Sequence, residues 1–184
     1  MKYTRLALVL SLLPALAHAH PGHGADAGGI GSGMAHPFTG LDHLLAALSV
    51  GMLAVLWRRA SLAVVFLVAG VLGGFAGAKI GAFIGLETVL AITVIVFGLA
   101  LTFYKHVAQS AALFVVAAGA AMHGWAHGSE ATGAMSIIGI FLGTAVIVSL
   151  GAVTAHFIRH APRAITGLGA GIAIAAFAIL AGVL

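Results

Sequence analysis

The chain has 184 residues, 62% hydrophobic and only 7% charged, where a soluble domain carries about 25% charged residues. So little charge cannot cover the apolar surface in water, which excludes an ordinary soluble domain and predicts an all-α integral membrane protein. The net charge of +4 is no nucleic-acid signal, because the few basic residues sit between apolar segments and set topology, and with no cysteine there is neither a disulfide nor a thiolate metal site.

At the N-terminus Lys2 and Arg5 precede the apolar run LALVLSLLPALA, and Ala17-His18-Ala19 has the small-x-small form of a cleavage site. This predicts a secretory signal peptide over 1–19, so that the mature chain begins at His20. The alternative is an uncleaved span, but the run is short and broken by Pro14. Residues 20–38 form a His- and Gly-rich periplasmic segment. Its 20–36 part, HPGHGADAGGIGSGMAH, lacks a helical pattern and reads as a flexible loop. His20 and His23 are candidate outer chelators, with plain solvated loop as the alternative.

Six apolar segments follow within 39–184, over roughly 39–57, 60–78, 82–104, 107–126, 133–157 and 163–183. Each is long enough to span with some tilt, and their short connections predict an up-and-down bundle of six transmembrane helices in contact with lipid. With His20 outside, the inner loops hold Arg58, Arg59, Lys105, Arg159 and Arg163, and the outer loops only Lys79. This satisfies the positive-inside rule and puts both mature termini in the periplasm, with the bundle in the cytoplasmic membrane. Gly73, Gly77, Gly81 and Gly85 recur every four residues, as do Gly167 and Gly171. Helix packing is the reading for both sets.

The polar residues gather near the outer end of this topology. Asp42 and His43 lie in the first turns of segment one, with His36 and Pro37 just before them. Glu87 sits about six residues into segment three, roughly 9 Å deep at 1.5 Å per residue. His123 and His127, four apart, share a helix face at the end of segment four, and Glu130 follows. Ionisable groups in a bilayer cost about 2.5–3.5 kcal/mol each on insertion scales, so Asp42 and Glu87 call for a reason. Imidazole with carboxylate suits borderline divalent ions such as Ni²⁺, Co²⁺ and Zn²⁺. Plainer readings stand beside this one. Asp42 can serve a helix start, Glu87 can be interfacial, and His123 and His127 can be interfacial polar groups beside Trp125. His106, His156 and His160 lie beside Lys105, Arg159 and Arg163 on the inner side and read as interfacial or exit-side groups.

The stretch HPFTGLDHLLAALSVG resembles the signature of the HupE/UreJ family of nickel and cobalt permeases, approximately HP-x-x-G-x-DH-x-x-x-M-x-x-VG. His36, Pro37, Gly40, Asp42, His43, Val50 and Gly51 match it. HGWAHGSE, from His123 to Glu130, resembles the family's HG-x-AHG-x-E element. The resemblance covers almost the whole chain. It implies a secondary importer of Ni²⁺, with Co²⁺ a further candidate, that serves hydrogenase or urease maturation and holds no tightly bound cofactor. The site residues it implies are His36, Asp42, His43, His123, His127 and Glu130, with Glu87 beside them. The chain departs from the pattern at Ala47, where the family has Met, at Trp125, where it has a histidine, and near Val148, where segment five often carries another.

Other classes are weighed against this one. A bis-histidine haem protein needs facing histidines, for which His43 and His123 are a pair. A membrane metalloenzyme needs a further catalytic motif, and none is present. An accessory subunit would bind metal without moving it. No Walker motif offers ATP, and the sequence leaves the oligomeric state open.

Overall fold

The computed structural model describes residues 29–184. The expected signal peptide, His20 and His23 lie outside the described residues. Among the described residues there are seven α-helices and no strand: α1 (Ile30–Ala35), a 3-10 turn (His36–Phe38), α2 (Leu41–Leu56), α3 (Ser61–Ile80), α4 (Leu86–Thr102), α5 (Ala112–Glu130), α6 (Ala134–Ile158) and α7 (Pro162–Leu180). The six long ones correspond to the six apolar segments. By length and composition, α3, α6 and α7 can each cross a membrane, and α1 with its 3-10 turn forms with α2 a pair bent by 82° that has the make-up of a broken span or of a re-entrant loop. The 17-residue α4 is a shorter apolar helix. The last two turns of α5 carry His123, Trp125, His127, Ser129 and Glu130.

Two expectations are corrected here. Residues 30–35 are a helix, not part of a flexible loop. IGSGMA has poor helix propensity, so tertiary contact holds this turn: a Cβ on Gly33 would collide with the Ser136 carbonyl, and one on Gly139 with the Ile30 carbonyl. The backbones of α1 and α6 therefore touch, and only glycine permits it. Pro37 opens the 3-10 turn, the chain breaks at Gly40, and α2 sets off in a new direction. Segment three starts later than expected. Gly81 (φ 83°) and Gly85 (φ 90°) are left-handed and form a connection, so α4 begins at Leu86.

Helix pairs build the bundle. In lipid their association comes from packing rather than from apolar surface leaving water. Along α3, Gly70, Gly73, Gly74 and Gly77 meet α5, where a Cβ on Gly73 would strike the Ala121 carbonyl and one on Gly77 the Trp125 carbonyl. Residue numbers rise together on both sides, so α3 and α5 run parallel. The same backbone contact joins α2 to α6, with Gly51 on Val148 and Gly151 on Leu48, and α4 to α7, with Gly98 on Ala173. Of the glycines expected to pack helices, Gly73 and Gly77 do so. Gly81 and Gly85 are loop residues, and Gly167 and Gly171 face open space.

The two ends of the bundle differ. One is reached by the starts of α2, α4 and α6 and by the end of α5, and it carries the histidines of the two motifs. At the other, Trp57 Nε1 donates to the Tyr104 carbonyl at 2.7 Å and Arg59 donates to the Gln109 carbonyl at 2.7 Å. Between them lies an apolar core that includes Val50, Met52, Leu53, Leu62, Phe66, Val94, Phe97 and Ile147.

Candidate metal centre

The break between α1 and α2 creates the site. His36 lies in the 3-10 turn, while Asp42 and His43 open α2, where the free N–H groups and the helix dipole favour a carboxylate. Across from them stands the last part of α5. His123 and His127 are one turn apart and aim the same way, and Glu130 closes the helix. The close α3–α5 contact fixes α5: a Cβ on Gly124 would collide with the Gly70 carbonyl, and one on Gly128 with the Gly74 carbonyl.

These residues form two groups, each with ligand-capable atoms within 4.8 Å of one another: His36, His127 and Glu130, and Asp42, His43 and His123. In the first, His36 Nε2 hydrogen-bonds Glu130 Oε2 at 3.1 Å. Glu130 stands beyond the apolar stretch of α5, and this bond from His36 holds its carboxyl below the usual carboxylate range, so it is ionised at neutral pH. In the second, His43 Nδ1 lies 2.8 Å from Asp42 Oδ1. This contact occupies Nδ1, while the other ring nitrogen of His43, Nε2, is buried without a hydrogen-bond partner. The Nδ1 atoms of His123 and His127 are likewise buried without one. Buried polar atoms are normally paired, so these three unpartnered imidazole nitrogens at one place are open to a ligand.

The groups are continuous. Ring centroids lie 5.1 Å apart for His36 and His127, 3.9 Å for His127 and His43, and 4.8 Å for His43 and His123. Exposure is greatest at the Glu130 end. Side-chain exposure is 56% at Glu130 and 39% at His36, then 15% at Asp42 and 12% at His43, and His127 and His123 are buried. Beneath lies a cavity of about 20 Å³ lined by His43, His123, His127, Phe66, Phe141 and Thr144, among others. That is room for roughly one water. Phe66 and Phe97, ring centroids 6.5 Å apart, stand between this cavity and the arginine end.

Glu87 stays apart. Because α4 begins at Leu86, Glu87 is an exposed first-turn residue and belongs to neither group. His106, His156 and His160 join no ligand group among the described residues. Sequence reasoning missed Thr93, whose Oγ1 lies 2.9 Å from His123 Nε2. Its only signal was a hydroxyl inside an apolar segment.

The model of the HupE / UreJ protein family matches residues 7–180. The chain belongs to the HupE/UreJ family. It is similar to Protein HupE of Rhizobium leguminosarum bv. viciae, with 34% identity over 196 aligned positions that cover 99% of this chain and 100% of that protein. No solved structure matches. The family is a transporter-type membrane-protein family, associated with nickel and cobalt uptake and linked to the nickel metabolism of hydrogenase and urease.

The departures from the family pattern can now be placed. Trp125 lies between the two α5 histidines in sequence but about 180° around the helix from the line they share. Its indole donates to the Gly81 carbonyl at 2.8 Å and meets the Phe83 ring edge-on. A histidine there would point away from the ligand groups, so this departure removes no ligand from either. Ala47 and Val148 are buried in the α2–α6 region, inward of His43.

Proposed function

We propose that this chain is a secondary transporter that imports Ni²⁺, with Co²⁺ as a second substrate, across the cytoplasmic membrane. In this reading all six long helices span, the signal peptide is cleaved, the histidine end faces the periplasm and the arginine end the cytoplasm. The observation that carries the reading is the convergence of four imidazoles and two carboxylates, from two distant parts of the chain, at one end of an apolar bundle.

The chemistry follows from the donor set. Nitrogen and carboxylate oxygen suit borderline divalent ions. Asp42 and Glu130 together carry two negative charges, which match a divalent cation when the imidazoles are neutral. A cation first meets Glu130 and His36, the wettest ligands, and exchanges some of its water for them. His127 and His43 then pass it inward to Asp42, His43 and His123, above the small cavity. Two adjoining groups of partial strength let an ion enter and still leave, where one closed cage would trap it. Phe66 and Phe97 close the way inward and must move for release. The membrane potential supplies about 4.6 kcal/mol per 100 mV for a divalent ion, directed inward. Nickel delivered in this way would serve the maturation of a nickel enzyme.

The bis-histidine haem alternative conflicts with the geometry. His43 and His123 are in edge contact, with centroids 4.8 Å apart, and a haem requires the macrocycle between its two axial imidazoles.

The test is uptake by proteoliposomes under an imposed inside-negative potential. The reading expects nickel to accumulate, cobalt to compete, and dissipation of the potential to slow entry. Tight binding without accumulation would favour the accessory-protein reading instead.

A further inference from the structure

We infer that Thr93 is a positioning residue that fixes which nitrogen of His123 meets the ion; this rests on the transport reading above. Thr93 is in α4, and its hydroxyl donates to the Leu90 carbonyl at 2.7 Å. Such a bond to the preceding turn is the usual disposition of a helical threonine, whose branched Cβ restricts the rotamer. A hydroxyl has one proton, and we assign it to the shorter contact, the Leu90 carbonyl. The contact of 2.9 Å between Thr93 Oγ1 and His123 Nε2 therefore has the nitrogen as donor. Nε2 carries the proton, and in the neutral ring the lone pair falls on Nδ1. That Nδ1 is buried with no hydrogen-bond partner, in a residue that lines the cavity beside His43.

The packing keeps this arrangement in register. Gly119 lies one turn before His123 on α5, where an added Cβ would come within 2.7 Å of Phe97 Cζ and 3.5 Å of Thr93 Cβ. The glycine thus leaves room for the Phe97 ring, and Thr93 stands beside the same turn of α5 at van der Waals distance. A ligating histidine is commonly oriented by a hydrogen bond at its other nitrogen, and loss of such a partner costs about 10–100-fold in metal affinity. In this site the partner is a neutral hydroxyl on a different helix, so it adds no charge to the balance of two carboxylates against a divalent ion.

The test compares full-length wild type, Thr93→Val, which keeps the shape and removes the hydroxyl, and Thr93→Ser, which keeps the hydroxyl. Two readouts are taken on purified protein. The first is the ¹⁵N spectrum of histidine without metal, with His123 assigned by difference against His123→Gln. The second is the nickel dissociation constant. We expect the Nε2–H form of His123 in wild type and Thr93→Ser, and a mixture of forms in Thr93→Val with nickel affinity lowered about 10–100-fold. Nickel bound by Thr93→Val as tightly as by wild type, while His43→Ala loses it, would overturn the role of Thr93 and leave the transport reading standing. An Nδ1–H ring in wild type would overturn it as well. Wild type that binds no nickel would instead sink the transport reading, and the inference with it, whatever the spectrum shows.

Discussion

The His127 and His43 rings lie 3.9 Å apart, although 84 residues separate them in the chain. Each belongs to a different ligand group, so this contact joins the two. In the transport reading the pair is the step at which a cation passes from the group that holds the exposed Glu130 to the group that holds the buried His123.

That order separates the effects of two substitutions. In the transport reading Glu130→Gln removes an exposed carboxylate that acts in capture, so nickel uptake is expected to show a raised KM with little change in maximal rate. His123→Ala removes a buried ligand and is expected to reduce the maximal rate as well. Initial rates across a range of nickel concentrations check both, following the usual separation of binding from later steps. Equal effects on KM and rate from the two changes would contradict the order.

Acidity gives a second test. Imidazole must be free of its proton to ligate, and binding releases any proton it carries. Nickel affinity is therefore expected to fall as pH is lowered from about 8 to about 5. Titration calorimetry across that range measures this. A pH-independent affinity would mean that no ligating imidazole gives up a proton there.

Stability tests the packing. Gly73→Ala and Gly124→Ala each place a methyl into a facing backbone carbonyl, which cannot move as a side-chain end can. Each is expected to destabilise α3 against α5 and to lower the thermal midpoint in detergent, at about 1–3 kcal/mol as for other overpacked sites. Gly167→Ala and Gly171→Ala meet open space and are expected to leave the midpoint nearly unchanged, which makes them internal controls.

How far the sequence disclosed this site depends on the kind of information each part required. The apolar segments were legible because composition alone marks them, and α2 to α7 follow them closely. The ligands were legible by residue type, since histidines and carboxylates in an apolar chain stand out. Their convergence was not, because no spacing rule brings α5 to the start of α2; the glycine contacts between α3 and α5 do part of that work. Helix α1 was hidden because IGSGMA has poor helical propensity and is held by α6. Glu87 was misplaced by the run's apparent start at residue 82, when the left-handed glycines at 81 and 85 delay the helix. Trp125 looked like a lost ligand until its direction was known.

The most direct measurement is radioactive nickel uptake in cells that lack their own nickel importers, comparing wild type with His43→Ala at matched membrane expression and with cobalt and zinc as competitors. His43 touches both ligand groups, so its loss is expected to bring uptake to background while wild type accumulates nickel and cobalt competes. Equal accumulation by wild type and His43→Ala would contradict the proposed ion path, and no accumulation by properly inserted wild type would contradict the import function itself.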